Sequence, residues 1–227
     1  MKLWQNKRKE NKDKDCVSCH LPVVQRSFVN QNLKKNPKES HIHGFIGSGV
    51  PKEFSLYKEQ IPLGYKRGFD LSHLNFNNNK FKFKIKNKNA GHFIPSGDPE
   101  RYLALEFTWK GRKEEILSSE VIEIGQKWSW FPKAKKISDN RLLPEEEREF
   151  EIISPTTHKP LYLNISIYHV RLREDVMNYM KKTATYLKTN LREKVENIEK
   201  NYPSKSLIYN LDYNLEKNTF KEKPIFQ

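Results

Sequence analysis

From residue 80 onward, polar and apolar side chains alternate with a period of two. "KFKFKIKN" (80–87) sets Phe81, Phe83 and Ile85 between lysines, the pattern of a strand with one buried face. "YLALEFTW" (102–109) repeats it, and "GRKEE" (111–115) after it reads as a hairpin connection. "EILSSEVIEIG", "REFEIISP" and "LYLNISIYHVRL" add strands between Pro, Gly and Asn punctuation. Five or more strands with no helix between them predict an antiparallel β-sandwich over residues 79–172.

The period then switches. Met177, Met180, Ala184, Leu187, Leu191, Val195 and Ile198 recur three and four apart, which predicts one amphipathic helix over 173–202, ended by Pro203. Core packing is the expected use of that stripe. The last stretch, 203–227, reads as a short strand followed by an extended tail. Residues 1–78 have neither period. They hold a short helical candidate, "VVQRSFVNQNLKK", and a polar spacer, "NFNNNK". The expected class is mainly β (α+β): an irregular N-terminal segment, a sandwich, and one long helix.

Composition adds a surface. With 42 Lys and Arg against 28 Asp and Glu, the net charge is +14, which favours an acidic protein, a phospholipid surface or nucleic acid as partner. The lysines are scattered rather than blocked, so a solvated surface is the simplest account and nucleic acid is not expected. No apolar run is long enough to span a bilayer. The start, "MKLWQNKRKENKDKD", has positive charge but no apolar core, so it does not read as a secretory signal.

The chemistry concentrates in "DKDCVSCHLP" (13–22), which holds Cys16 and Cys19, the only two cysteines, with His20 directly behind. Two thiols at this spacing match the two vinyl groups of a porphyrin, and the adjacent imidazole supplies an axial nitrogen, as in c-type haem attachment. Three other readings stay open. A zinc site would need a fourth ligand such as His41 or His43, and no second C-x-x-C accompanies it. A redox dithiol expects a βαβ setting, and a disulfide across C-x-x-C is strained. Paired carboxylates, a Ser-His-Asp order and a dinucleotide fingerprint do not stand out, and "GSGVPK" (47–52) lacks the spacing of a phosphate loop.

A six-coordinate haem needs a distal ligand. Met177 and Met180 belong to the helix stripe, so histidine is better supplied. His41 and His43 lie in "SHIHGFIGSG", whose glycines let backbone approach a flat cofactor, and His92 lies in "NAGHFIPSGDP". His73, His158 and His169 have less suggestive surroundings.

These pieces have an order. "CVSCHLP", "HIHGFIGSG", "NAGHFIPSGDPERYLALEF" and "DNRLLPEEEREFEI" together resemble a bacterial multihaem c-type cytochrome family over residues 16–154. In that family a CxxCH-M/L-P motif precedes an H-x-F/W-x-G segment and a β-rich region with G-H-x-x-P and D-x-R-x-x-P-x-E signatures. The resemblance implies thioether attachment at Cys16 and Cys19, His20 as proximal ligand, and His43, with Phe45 and Gly47, as distal ligand. His92 would ligate this haem, ligate one in a neighbouring subunit, or orient a loop. Asp139, Arg141 and Pro144 would be structural. Trp4, Phe28, Phe45 and Phe93 are candidate haem walls.

Family members usually carry several CxxCH motifs, and this chain has one. The implied protein is therefore a single haem c electron carrier within a larger multihaem assembly, periplasmic or in the cell envelope. Its expected partners are an acidic redox protein or other haem subunits, with peripheral membrane association also compatible with its charge. Such a chain would be a piece of a longer exported protein or one subunit of an assembly, rather than a stand-alone enzyme. Two alternatives belong to other classes: a structural subunit that docks through its sandwich, and a zinc-containing basic binding protein.

Overall fold

A computed structural model describes residues 17, 20–21, 23–26, 38–41, 67–88, 90–156, 159–197 and 204–223. The chain divides into two compact units, Met1–Lys66 and Arg67–Gln227.

In the first unit, strands β1 (Val23–Arg26) and β2 (Lys38–His41) pair antiparallel, with Val23 opposite His41. β1 falls within the stretch expected to be helical; Val23 and Val24 are β-branched and favour the extended chain.

The second unit holds two antiparallel sheets. Strands β3 (Phe69–Asn77), β4 (Lys80–Asn87) and β8 (Glu147–Ile153) form one, in the order β3-β4-β8. The other has the order β11-β10-β9-β5-β6-β7 and contains β5 (Tyr102–Lys110), β6 (Ile116–Ser129), β7 (Lys135–Asp139), β9 (Tyr162–Val170), β10 (Lys205–Asn214) and β11 (Thr219–Glu222). Alternation decides the facing sides. Phe81, Phe83 and Ile85 of β4 are fully buried, as are Leu105 and Phe107 of β5 and Leu163, Ile165 and Ile167 of β9. The sheets meet through aromatic pairs: Phe83 with Phe107 at 5.2 Å, Phe81 with Tyr213 at 4.9 Å, and Phe76 with Trp109 at 6.1 Å between ring centroids. Such pairs add to the burial of large apolar surface. On the outer side, Lys80 and Lys82 pair with Glu151 and Lys84 with Glu147, so the β4 lysines are a solvated face laced to β8.

Three expected boundaries are corrected. The β domain begins at Arg67 rather than 79, because "NFNNNK" is a hairpin turn: Asn77 pairs with Lys80, and Asn78 and Asn79 take φ of 51° and 60°. That is the two-residue turn whose backbone twist matches the strands, and asparagine tolerates its left-handed residues. The single helix is broken. Helix α1 (Glu174–Thr183) passes through a 3-10 turn at Ala184–Tyr186 before helix α2 (Thr189–Glu196). Thr183 Oγ1 donates to the carbonyl of Tyr179 at 2.9 Å, a back-bond that bends helices, and Leu187 is extended. Met177 and Ala184 are buried, Leu187 and Leu191 are exposed and Val195 is half-buried, so among the described residues only the first half of the stripe is fully packed. The tail is likewise no arm: β10 pairs with β9 along most of its length and buries Tyr209, Leu211 and Tyr213.

Candidate functional site

In the first unit Leu21 N–H donates to the carbonyl of Val17 at 2.7 Å, an i to i−4 bond that sets one helical turn, and His20 lies in it, half-buried. The β1–β2 hairpin then turns the chain back. His41, opposite Val23, places its Nδ1 2.7 Å from the Leu21 carbonyl oxygen, across twenty residues of sequence. A carbonyl can only accept, so Nδ1 is the donor and the neutral ring keeps its lone pair at Nε2. His41 is thereby anchored beside the residue that follows His20. Cys16, Cys19, His43, Trp4, Phe28, Phe45 and His158 lie outside the described residues. Among the described residues, no three His, Cys, Asp or Glu side chains gather as a metal site would require.

In the second unit the two later signatures converge. Strand β4 ends at Asn87, fully buried, whose Nδ2 donates to the carbonyls of His92 (2.8 Å) and Leu142 (3.2 Å). Ile94 and Leu142 exchange backbone hydrogen bonds of 3.0 and 2.9 Å. His92 is exposed, and its Nδ1 donates to the Phe93 carbonyl at 2.9 Å. The Arg141 guanidinium stacks over the Phe93 ring at 4.5 Å and grips Asp139 with two bonds of 2.9 Å. Those bonds, joined by Lys136 and Gln126, hold the Asp139 carboxyl far below the usual carboxylate range against a smaller opposing desolvation. The result is a fixed loop pair. Phe93, about one-third exposed, is covered by Arg141.

Asn87 was missed from the sequence, although the signal exists: it occupies the core-facing register of Phe81, Phe83 and Ile85. His169 is a second case. It follows Leu163, Ile165 and Ile167 on the inward side of β9 and is buried, with neither ring nitrogen hydrogen-bonded among the described residues. Burial, then the charges of Arg101 and Arg171, push it down to about 4, so it is neutral at pH 7. His73 is a surface residue at the irregularity between Ser72 and Asn75 of β3, within hydrogen-bonding distance of Ser72 Oγ at 3.0 Å.

No family model matches the chain, and no curated protein matches it. A solved structure does. The chain is similar in fold to a penta-heme cytochrome c552 from Thermochromatium tepidum, with a TM-score of 0.55 and 19% identity, over 88% of this chain and 47% of that one. At that identity the likeness is one of fold. The chain spans about half the length of that cytochrome.

Proposed function

We propose that the chain is a c-type cytochrome subunit with one haem, attached through Cys16 and Cys19 and ligated by His20 and His43, that passes electrons within a larger multihaem assembly. A haem held between two histidines carries one electron at a time and offers no open position for bond-making. The observation that carries the reading is the His41–Leu21 hydrogen bond, which brings His41, two residues before His43, back to the His20 turn. The fold likeness to a penta-heme cytochrome supports the class, and it makes the periplasm or cell envelope the fitting location.

The donor types fit the group: two thiols for attachment, a proximal imidazole behind them, and a second imidazole in the segment that follows His41. We assign His41 to positioning: its Nδ1 bond to the Leu21 carbonyl would fix the hairpin, and His43, to which the order of motifs points, would supply the second ligand to the haem. His92 joins its Nδ1 to the Phe93 carbonyl and accepts from Asn87 at its own carbonyl, and we assign it to holding that loop.

Absorption and electron paramagnetic resonance spectra of the haem-loaded chain test this. His43→Ala should turn the low-spin spectrum high-spin, whereas His41→Ala should stay low-spin. A His41→Ala variant that goes high-spin while His43→Ala remains low-spin contradicts the assignment.

A further inference from the structure

β5 pairs with β6 only as far as Tyr102 opposite Gly125, and β7 takes over from Gln126. The β6–β7 hairpin thus runs on past β5 as a two-stranded ribbon. Its tip reads "KWSWFPKAKK" (127–136): two tryptophans, a phenylalanine and four lysines, with no acid. Trp130 is 53% exposed and Phe131 87%, and every residue from 130 to 140 is exposed, Ile137 among them. The tip is nonetheless built. Trp128 and Trp130 stack at 5.5 Å with planes 12° apart, the Trp130 indole N–H donates to Glu100, and Ser129 Oγ donates to the Phe131 carbonyl at 3.1 Å. Lys127 pairs with Glu123 and Lys136 with Asp139. Lys133 and Lys135 have no ion-pair partner among the described residues.

Two neighbouring aromatics left in water at a turn need an apolar destination, since each gains from burial. The chemistry of that destination follows from shape and charge. A specific protein interface covers about 800 Å² on each side and engages roughly 20–30 residues, whereas this tip is one hairpin end, residues 127–136. A bilayer interface suits it better. Tryptophan favours the headgroup layer, phenylalanine the layer beneath, and lysines beside them meet anionic headgroups. The net charge of +14 acts in the same direction.

We propose that the β6–β7 tip is a membrane-surface anchor: Trp130 and Phe131 enter the interfacial layer of an anionic bilayer, and Lys133 and Lys135 hold its phosphates. The anchor holds the chain at a surface and does not span it; no helix among the described residues is long and apolar enough to cross a membrane. It is independent of the haem reading.

The test is co-sedimentation of the full chain with vesicles of phosphatidylcholine alone or with added phosphatidylglycerol. Binding should need phosphatidylglycerol and weaken with salt. Trp130→Ser with Phe131→Ser should reduce it about tenfold or more, because losing one buried aromatic already approaches that factor. Lys133→Gln and Lys135→Gln should each lower it about fivefold. Circular dichroism should show each variant folded, since these side chains lie outside the core. No vesicle binding, or equal binding by the aromatic variant, overturns the proposal. So does a result in which vesicles are ignored and the same aromatics are needed to hold an acidic redox protein.

Discussion

His169 sits where the alternation of β9 calls for an apolar side chain, and the fold treats it as one. The folded chain holds its imidazole down at about 4, against an ordinary value near 6.5 that returns on unfolding. Above pH ~6.5 the residue is neutral in both states and adds no pH dependence. As pH falls from there towards 4, the unfolded chain takes up a proton that the folded chain refuses, so stability drops. Between pH 7 and 5 the loss is about 2 kcal/mol. Asp139 works in the same sense but lower: its carboxyl is held down, so its contribution is intact above the ordinary carboxylate range and fades as pH falls through and below that range. His169→Leu should therefore flatten the stability profile between pH 7 and 5, measured by urea denaturation at each pH. An unchanged slope would assign the sensitivity elsewhere. The residue was legible as buried from its register alone; its neutrality was not, because that depends first on how deeply the fold buries it and then on the charges of Arg101 and Arg171. Asn87 is similar, readable as inward-facing but not as the clasp of the His92 and Leu142 loops.

At the scale of elements, period two was a good guide where lysine or glutamate marked the outer side, as in β4 and β8. It failed where asparagine did. β3 ends in "NFN" and read as part of a polar spacer, while β10 interleaves Tyr209, Leu211 and Tyr213 with Asn210, Asp212 and Asn214 and read only as a short strand. The helix misled for another reason: spacing of three and four continues across Thr183–Tyr186, where threonine back-bonding ends regular α-helix, and periodicity has no term for it. The β3–β4 turn gives a direct check. Asn79, at φ 60°, sits where glycine is least strained. Asn79→Gly should raise the urea midpoint, by about 0.5 kcal/mol, and Asn79→Val should lower it by about 1–2 kcal/mol. Equal effects would mean that the turn is not of this type.

For the whole molecule, order along the chain carried more than any single motif. Cys16, Cys19 and His20 admit haem, zinc or redox chemistry by themselves. The proposal of haem rests on their order with His41, which is held at Leu21, and with a two-sheet unit whose G-H-x-x-P and D-x-R loops interlock through Asn87, Phe93 and Arg141. The lysines laced across β4 are offset by Glu147 and Glu151 of β8, whereas the β6–β7 tip carries four lysines and no acid. The central claim is a covalent haem. It is tested most directly by maturing the full chain with a haem-attachment system, extracting it with acidified organic solvent, and recording a pyridine haemochrome of the polypeptide. The account predicts that one haem per chain stays with the protein and gives a c-type spectrum. Haem that moves into the solvent, or a chain that holds zinc and no haem, would contradict it.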